Sequence, residues 1–267
     1  MFTSCERSAG LTEWQGEGTV QAVVLLLPGG FVRSRRGPLK IAELGLQDLV
    51  AELTERGRSH GIAVHLLHYR YRGWNGDAAD TAVDTRWALE EITRRYGDVP
   101  VVLIGNSLGG RAAFRTAGHP AVVGVAGIAP WLPGGDPVEQ LAGRRVLIIH
   151  GERDRSAAST ARSLEYARRA REVVPDLARY EVPRGRHYLI KRADDVRALT
   201  AAFVLAVLGA GPSPTPSGDL RTPLPSRARN PSEAGAGSRI EDPADRPATP
   251  RSPAMPGAAR RTGRARR

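Results

Sequence analysis

Cysteine is nearly absent from this 267-residue chain: Cys5 is the only one, which excludes an intramolecular disulfide and any cysteine-based metal cluster. Lysine is almost as scarce. Only Lys40 and Lys191 occur, although Lys and Arg together number 39 against 28 Asp and Glu, a net charge of +11. An excess built almost wholly of arginine speaks first of a compositional bias and only then of a binding surface. Aromatic residues make up 5% of the chain, and none interleaves the arginines near the C-terminus to stack on bases. No apolar run reaches the roughly 18 residues of a membrane span. The opening MFTSCERSAGLTEW lacks the basic and then apolar regions of a secretory signal. A soluble, cytoplasmic protein is the expectation.

Proline is present but unevenly placed. Eleven of the twenty prolines lie between Pro212 and Pro256, where large apolar residues almost vanish. Residues 209–267 also carry eleven arginines and five acids, so more than half of the net charge sits there. Such a segment cannot bury enough surface to offset the entropy of ordering it, and disorder is expected. Binding of nucleic acid or another polyanion through residues 260–267 is the functional alternative to a merely solvated extension, which the composition favours. The chain thus divides into an arm or edge element at 1–18, a globular part at 19–208 and a tail at 209–267.

The globular part alternates apolar runs with helical periodicity. Residues 20–27, 62–67, 101–105, 122–129 and 145–150 read as strands buried on both faces, and 179–183 as a shorter one. Ile41, Leu44, Leu49 and Leu53 suggest one helix ending at Gly57, and Asp77 or Asp80 suits the cap of the next. Further helices are expected at 137–141, 157–172 and 194–208. The fold class is α/β: a doubly wound, mostly parallel sheet of six strands, plus one antiparallel strand near the N-terminus, with helices on both faces.

Within it, Gly105-Asn106-Ser107-Leu108-Gly109 fits G-x-S-x-G between a buried strand and a helix, the context in which that pattern marks an exposed serine nucleophile. Serine needs a base within hydrogen-bond reach and a group to orient that base. Where the strands end, Asp154 follows the run at 145–150, with Asp136 in reserve, and His187 follows the strand at 179–183. His65, His68 and His150 read as structural or rim residues. An oxyanion needs two convergent backbone donors. Leu108 N–H is one; the other is Gly30 N–H or, alternatively, Phe31 N–H, in Pro28-Gly29-Gly30-Phe31. Phe31, Trp74, Trp131 and Tyr188 are candidates to line an apolar substrate mouth, with packing against the sheet ends as the other reading. Arg33, Arg35, Arg36, Arg70, Arg72 and Arg111 fall in the same region; compositional bias explains them more simply than an anionic substrate does.

PGGF, GNSLGG, HGERD, GRHY and HYRYRGWNG together resemble the α/β-hydrolase family over residues 19–208. The resemblance implies a Ser107, Asp154, His187 triad working without cofactor or metal on a small-molecule ester. Pro28-Gly29 stands where the family often has His-Gly. Residues 130–144 are too few for a helical cap, which resembles the lidless carboxylesterase and dienelactone-hydrolase branch. The dienelactone type uses cysteine where this chain has Ser107, so a serine carboxylic-ester hydrolase is implied. A thioesterase or lysophospholipase with the same triad is the near alternative. A non-catalytic module acting through its basic tail is the distant one.

Overall fold

The computed structural model describes residues 7–15 and 18–212. The chain divides into two units, residues 1–225 and 226–267, and the second lies wholly outside the described residues. The expectations for Cys5 and for the tail beyond residue 212 likewise fall outside them.

Six strands run parallel: β2 (Ala22–Leu27), β3 (Ile62–His68), β4 (Val101–Asn106), β5 (Val122–Ile128), β6 (Arg145–Gly151) and β7 (Leu177–Val182). A seventh, β1 (Gly10–Trp14), pairs antiparallel with β3, giving the order β1-β3-β2-β4-β5-β6-β7. The strands are apolar throughout because both faces are covered, and alternation along β2 shows how. Val23, Leu25 and Leu27 enter one core with residues of α3 (Asp80–Tyr96), α4 (Leu108–Thr116) and α5 (Thr160–Ala170). Ala22, Val24 and Leu26 enter the other, against α2 (Gln47–Gly57) and α6 (Ala193–Val207).

Four local expectations are corrected. The helix read from Ile41 to Gly57 is two helices, α1 (Lys40–Leu44) and then α2, joined through Gly45 and Leu46. Leu44 and Leu49 are five residues apart, which at 3.6 residues per turn leaves them about 140° out of phase. One straight helix would therefore aim only part of that set at the core, and α1 buries none of its residues. Neither Asp77 nor Asp80 caps α3. Ala79 precedes it in the left-handed region (φ 44°), and Asp80 instead accepts from Asn75 Nδ2 at 2.8 Å. The expected helix at 137–141 is a single 3-10 turn, Glu139–Leu141. Strand β7 begins at Leu177, two residues early, and the Arg179 side chain within it is fully buried.

A polar link holds α1 to the sheet. Glu43 Oε1 lies 2.9 Å from His68 Nδ1 at the end of β3, and His68 Nε2 lies 2.7 Å from Thr12 Oγ1 on β1.

Candidate active site

Strand β4 delivers Ser107 into a turn so sharp that its backbone stands at φ 50°, ψ −112°. That conformation is strained for a residue with a Cβ, and the surrounding hydrogen bonds maintain it. Ser107 N–H donates to Ile128 O at 3.0 Å, and its carbonyl accepts from Trp131 N–H at 2.9 Å. The flanking glycines are sterically required. A Cβ on Gly105 would lie 2.2 Å from Gly109 O, and one on Gly109 would lie 2.0 Å from Leu27 O. Helix α4 starts at the next residue, so its N-terminal dipole and free amides face the serine.

The loops after β6 and β7 bring two further side chains to that hydroxyl. His187 Nε2 lies 2.9 Å from Ser107 Oγ, and His187 Nδ1 lies 2.7 Å from Asp154 Oδ2. The three residues form one hydrogen-bonded chain across 80 and 33 residues of sequence. Asp154 is buried. Burial pushes its carboxyl upward, but hydrogen bonds from His150, Ser156 and His187 prevail and hold it below the usual carboxylate range. Asp136, the reserve acid, is elsewhere and bonds Arg111 at 2.7 and 2.8 Å.

His150 is a partner that sequence reasoning placed among the structural histidines. Its Nε2 is 3.0 Å from Asp154 Oδ2, the same oxygen that His187 uses. Burial pushes its pKa down, against the pull of Asp154, so the neutral ring donates through Nε2–H. Its Nδ1 is buried without a partner among the described residues. The i, i+4 spacing of His150 and Asp154 in HGERD was the available signal.

Residues 31–34 and 72–75 pair locally and fix the loop after β2. Phe31 N–H donates to Arg72 O at 2.8 Å, Trp74 N–H to Phe31 O at 3.0 Å and Asn75 N–H to Val32 O at 3.0 Å. Phe31 N–H is therefore engaged, whereas Gly30 N–H has no partner among the described residues. Gly30 is packed so closely that a Cβ would lie 2.3 Å from Arg72 O and 2.7 Å from Leu108 Cδ2.

A cavity of about 480 Å³ opens beside Ser107 and His187. Its walls come from residues 29–31, the α1–α2 segment, Tyr188 and Leu189, and the start of α6. Phe31 and Tyr188 line it; Trp74 and Trp131 do not. Those two indoles meet edge to face at 6.4 Å, and the Arg111 guanidinium lies 3.9 and 4.6 Å from their ring centroids. Packing, the alternative reading for loop aromatics, describes this pair: the cation stacks on both rings while Asp136 takes its N–H groups. Arg70 is likewise paired, with Asp84 and Asp80. At least two of the six arginines singled out in the sequence, Arg70 and Arg111, are thus spent on internal contacts.

The sheet order, its single antiparallel edge and the helices on both faces are those of the α/β-hydrolase fold. Solved structures agree. They include an alpha-beta serine hydrolase homologue from Coxiella burnetii, at 13% identity and a TM-score of 0.53, covering 72% of this chain and 90% of that one. A serine hydrolase without lid from Xanthomonas campestris is 16% identical with a TM-score of 0.50, covering 76% and 87%. A monoacylglycerol lipase from Paleococcus ferrophilus is 14% identical with a TM-score of 0.55, covering 74% and 99%. At these identities the similarity extends to the fold and singles out no branch within it. No family model and no curated protein matches the sequence. Among the described residues no helix is long and apolar enough to cross a membrane.

Proposed function

We propose that the chain is a serine hydrolase that cleaves a carboxylic ester through an acyl-enzyme on Ser107. The observation that carries this reading is the hydrogen-bonded chain from Ser107 Oγ through His187 to Asp154. Ser107 Oγ attacks the ester carbonyl as His187 Nε2 takes its proton. Asp154 accepts the Nδ1–H, sets the tautomer and stabilises the imidazolium. Its depressed pKa keeps it ionised for that task. The oxyanion meets Leu108 N–H at the start of α4 and Gly30 N–H. Gly30 is favoured over Phe31 because the Phe31 amide is committed to Arg72 O. His187 then returns the proton to the departing alcohol, and water reverses the sequence to release the acid.

The short segment at 130–144, pinned by Trp131 and Asp136, supports a lidless esterase of the carboxylesterase type. The strained Ser107 backbone also suits a nucleophile held at a sharp turn, since such strain gathers at functional positions. A single cysteine suits the reducing cytoplasm, where we place the reaction. The test is hydrolysis of p-nitrophenyl acetate and butyrate at pH 8 by wild type and Ser107→Ala, with fluorophosphonate labelling of both. Turnover and labelling confined to wild type support the reading. Equal background rates and no label refute it.

A further inference from the structure

The cavity beside Ser107 is larger and more apolar than a short acyl group requires. Its 480 Å³ falls within the range of about 300–1,000 Å³ typical of sites for whole small ligands. The polar side chains of the proposed chemistry, Ser107 and His187, are part of its lining. Most of the other side chains that line it are apolar, among them Leu39, Ile41, Leu46, Leu49 and Val196; Asn106 and the ion-paired Asp48 and Arg197 are the polar exceptions.

The surface points the same way. Seven large hydrophobic side chains are exposed among the described residues. Phe31, Ile41 and Tyr188 line the cavity, and Val32 and Leu44 adjoin them in the chain. Ile41 is 73% exposed and Leu44 67%, on a helix that buries none of its residues. Scattered apolar residues need no explanation, but three of the seven line this one cavity, and that concentration marks a binding surface. The cavity is continuous with Ser107, so its occupant belongs to the molecule being cleaved.

We propose that this cavity holds a linear alkyl chain of the substrate, with α1 as its outer wall, so that the preferred ester is a fatty one. The inference rests on the hydrolase reading and deepens it. The chain belongs either to the acyl group or to the alcohol, and the two arms of the test distinguish these. A methylene moved from water against apolar walls is worth about a factor of three to four in a binding constant.

The experiment measures kcat/KM for p-nitrophenyl esters from acetate to decanoate, and in parallel for acetates of alcohols from ethanol to decanol. In one arm the constant is expected to rise at least about tenfold between two and eight carbons; the arm that rises identifies the source of the chain. The Gly45→Phe variant then narrows the cavity. Gly45 lines it with ordinary right-handed backbone (φ −64°), and a Cβ there meets nothing nearer than 3.6 Å. The eight-to-two-carbon ratio is expected to fall about tenfold, with the melting temperature recorded alongside. Ile41→Ser, at an exposed position with little folding risk, is expected to lower the same ratio about threefold. Flat series in both arms, with Ser107-dependent turnover intact, overturn the inference; so does a ratio unmoved in folded Gly45→Phe and in Ile41→Ser. If no ester shows Ser107-dependent turnover and Ser107 takes no fluorophosphonate, the hydrolase reading fails and this inference with it.

Discussion

The two flanks of Ser107 are built on opposite plans. On the flank of α3, α4 and α5, loop aromatics are filled in: Trp74 and Trp131 enclose Arg111, and Asp136 neutralises it. On the flank of α2 and α6, apolar side chains stay open to solvent around the cavity, and α1 gives Ile41 and Ala42 to its wall without burying itself. The difference teaches that aromatic content in a loop does not identify a substrate surface. Trp74 and Trp131 close on a cation that Asp136 neutralises, whereas Phe31, with Arg72 5.1 Å from its ring centroid, stays exposed in the cavity wall, so the setting of each ring decides. Substitutions on the first flank should therefore cost stability and spare selectivity, and substitutions on the second should do the reverse.

The largest effect is expected at the border itself. Ser107→Ala should lower kcat by about 10⁴-fold or more with the melting temperature held, because the change removes only the hydroxyl and leaves the Cβ and its backbone conformation as they were. Next comes the closed flank. Arg111→Leu leaves Asp136 without its partner and opens the indole pair, which should cost about 2–3 kcal/mol by chemical denaturation. The chain-length ratio should stay as in wild type; a changed ratio would break the comparison.

His150→Phe removes a donor from a buried carboxylate while keeping a ring in place. A fall of about one to two orders of magnitude in kcat/KM is expected, partly restored in His150→Gln, whose amide still donates. Acid stability probes the closed flank again, through His65, which is fully buried on β3 and 3.2 Å from Tyr96 Oη on α3. Burial lowers its pKa from 6.5 to about 4, opposed by Glu13 and aided by Arg95. The neutral ring is the folded form, so its contribution is complete above pH 6.5. It fades as pH falls towards 4, at up to about 1.4 kcal/mol per pH unit. Denaturant midpoints at pH 7, 6 and 5 should fall less steeply in His65→Phe. The smallest effect belongs to the open flank: Ile41→Ser should shift stability by no more than about 0.5 kcal/mol.

What was legible in the chain depended on how local its cause is. Strands β2 to β6 announce themselves because burial on both faces demands unbroken apolar runs, and Ser107, Asp154 and His187 each follow such a run or a short strand. The break between α1 and α2 was hidden, since Ile41 and Leu44 look like core residues until their phase is compared with that of Leu49 and Leu53. The fates of Trp74 and Trp131 turn on Arg111 and Asp136, which arrive from α4 and from a later loop. Choosing between Gly30 and Phe31 as donor needs the bond to Arg72, and nothing within PGGF announces it. The link from His150 to Asp154 was local but ambiguous, because a histidine at a strand end has many uses.

The tie from Thr12 through His68 to Glu43 gives the N-terminal edge strand a second office. As the outermost strand β1 completes the sheet, and as an anchor it steadies the helix that gives Ile41 and Ala42 to the cavity wall. Trimming the chain past residue 12 is therefore an operation on the wall of the cavity beside Ser107 as well as on the rim of the sheet. A preparation shortened there for convenience would differ in the setting of Glu43 and the short helix that carries it.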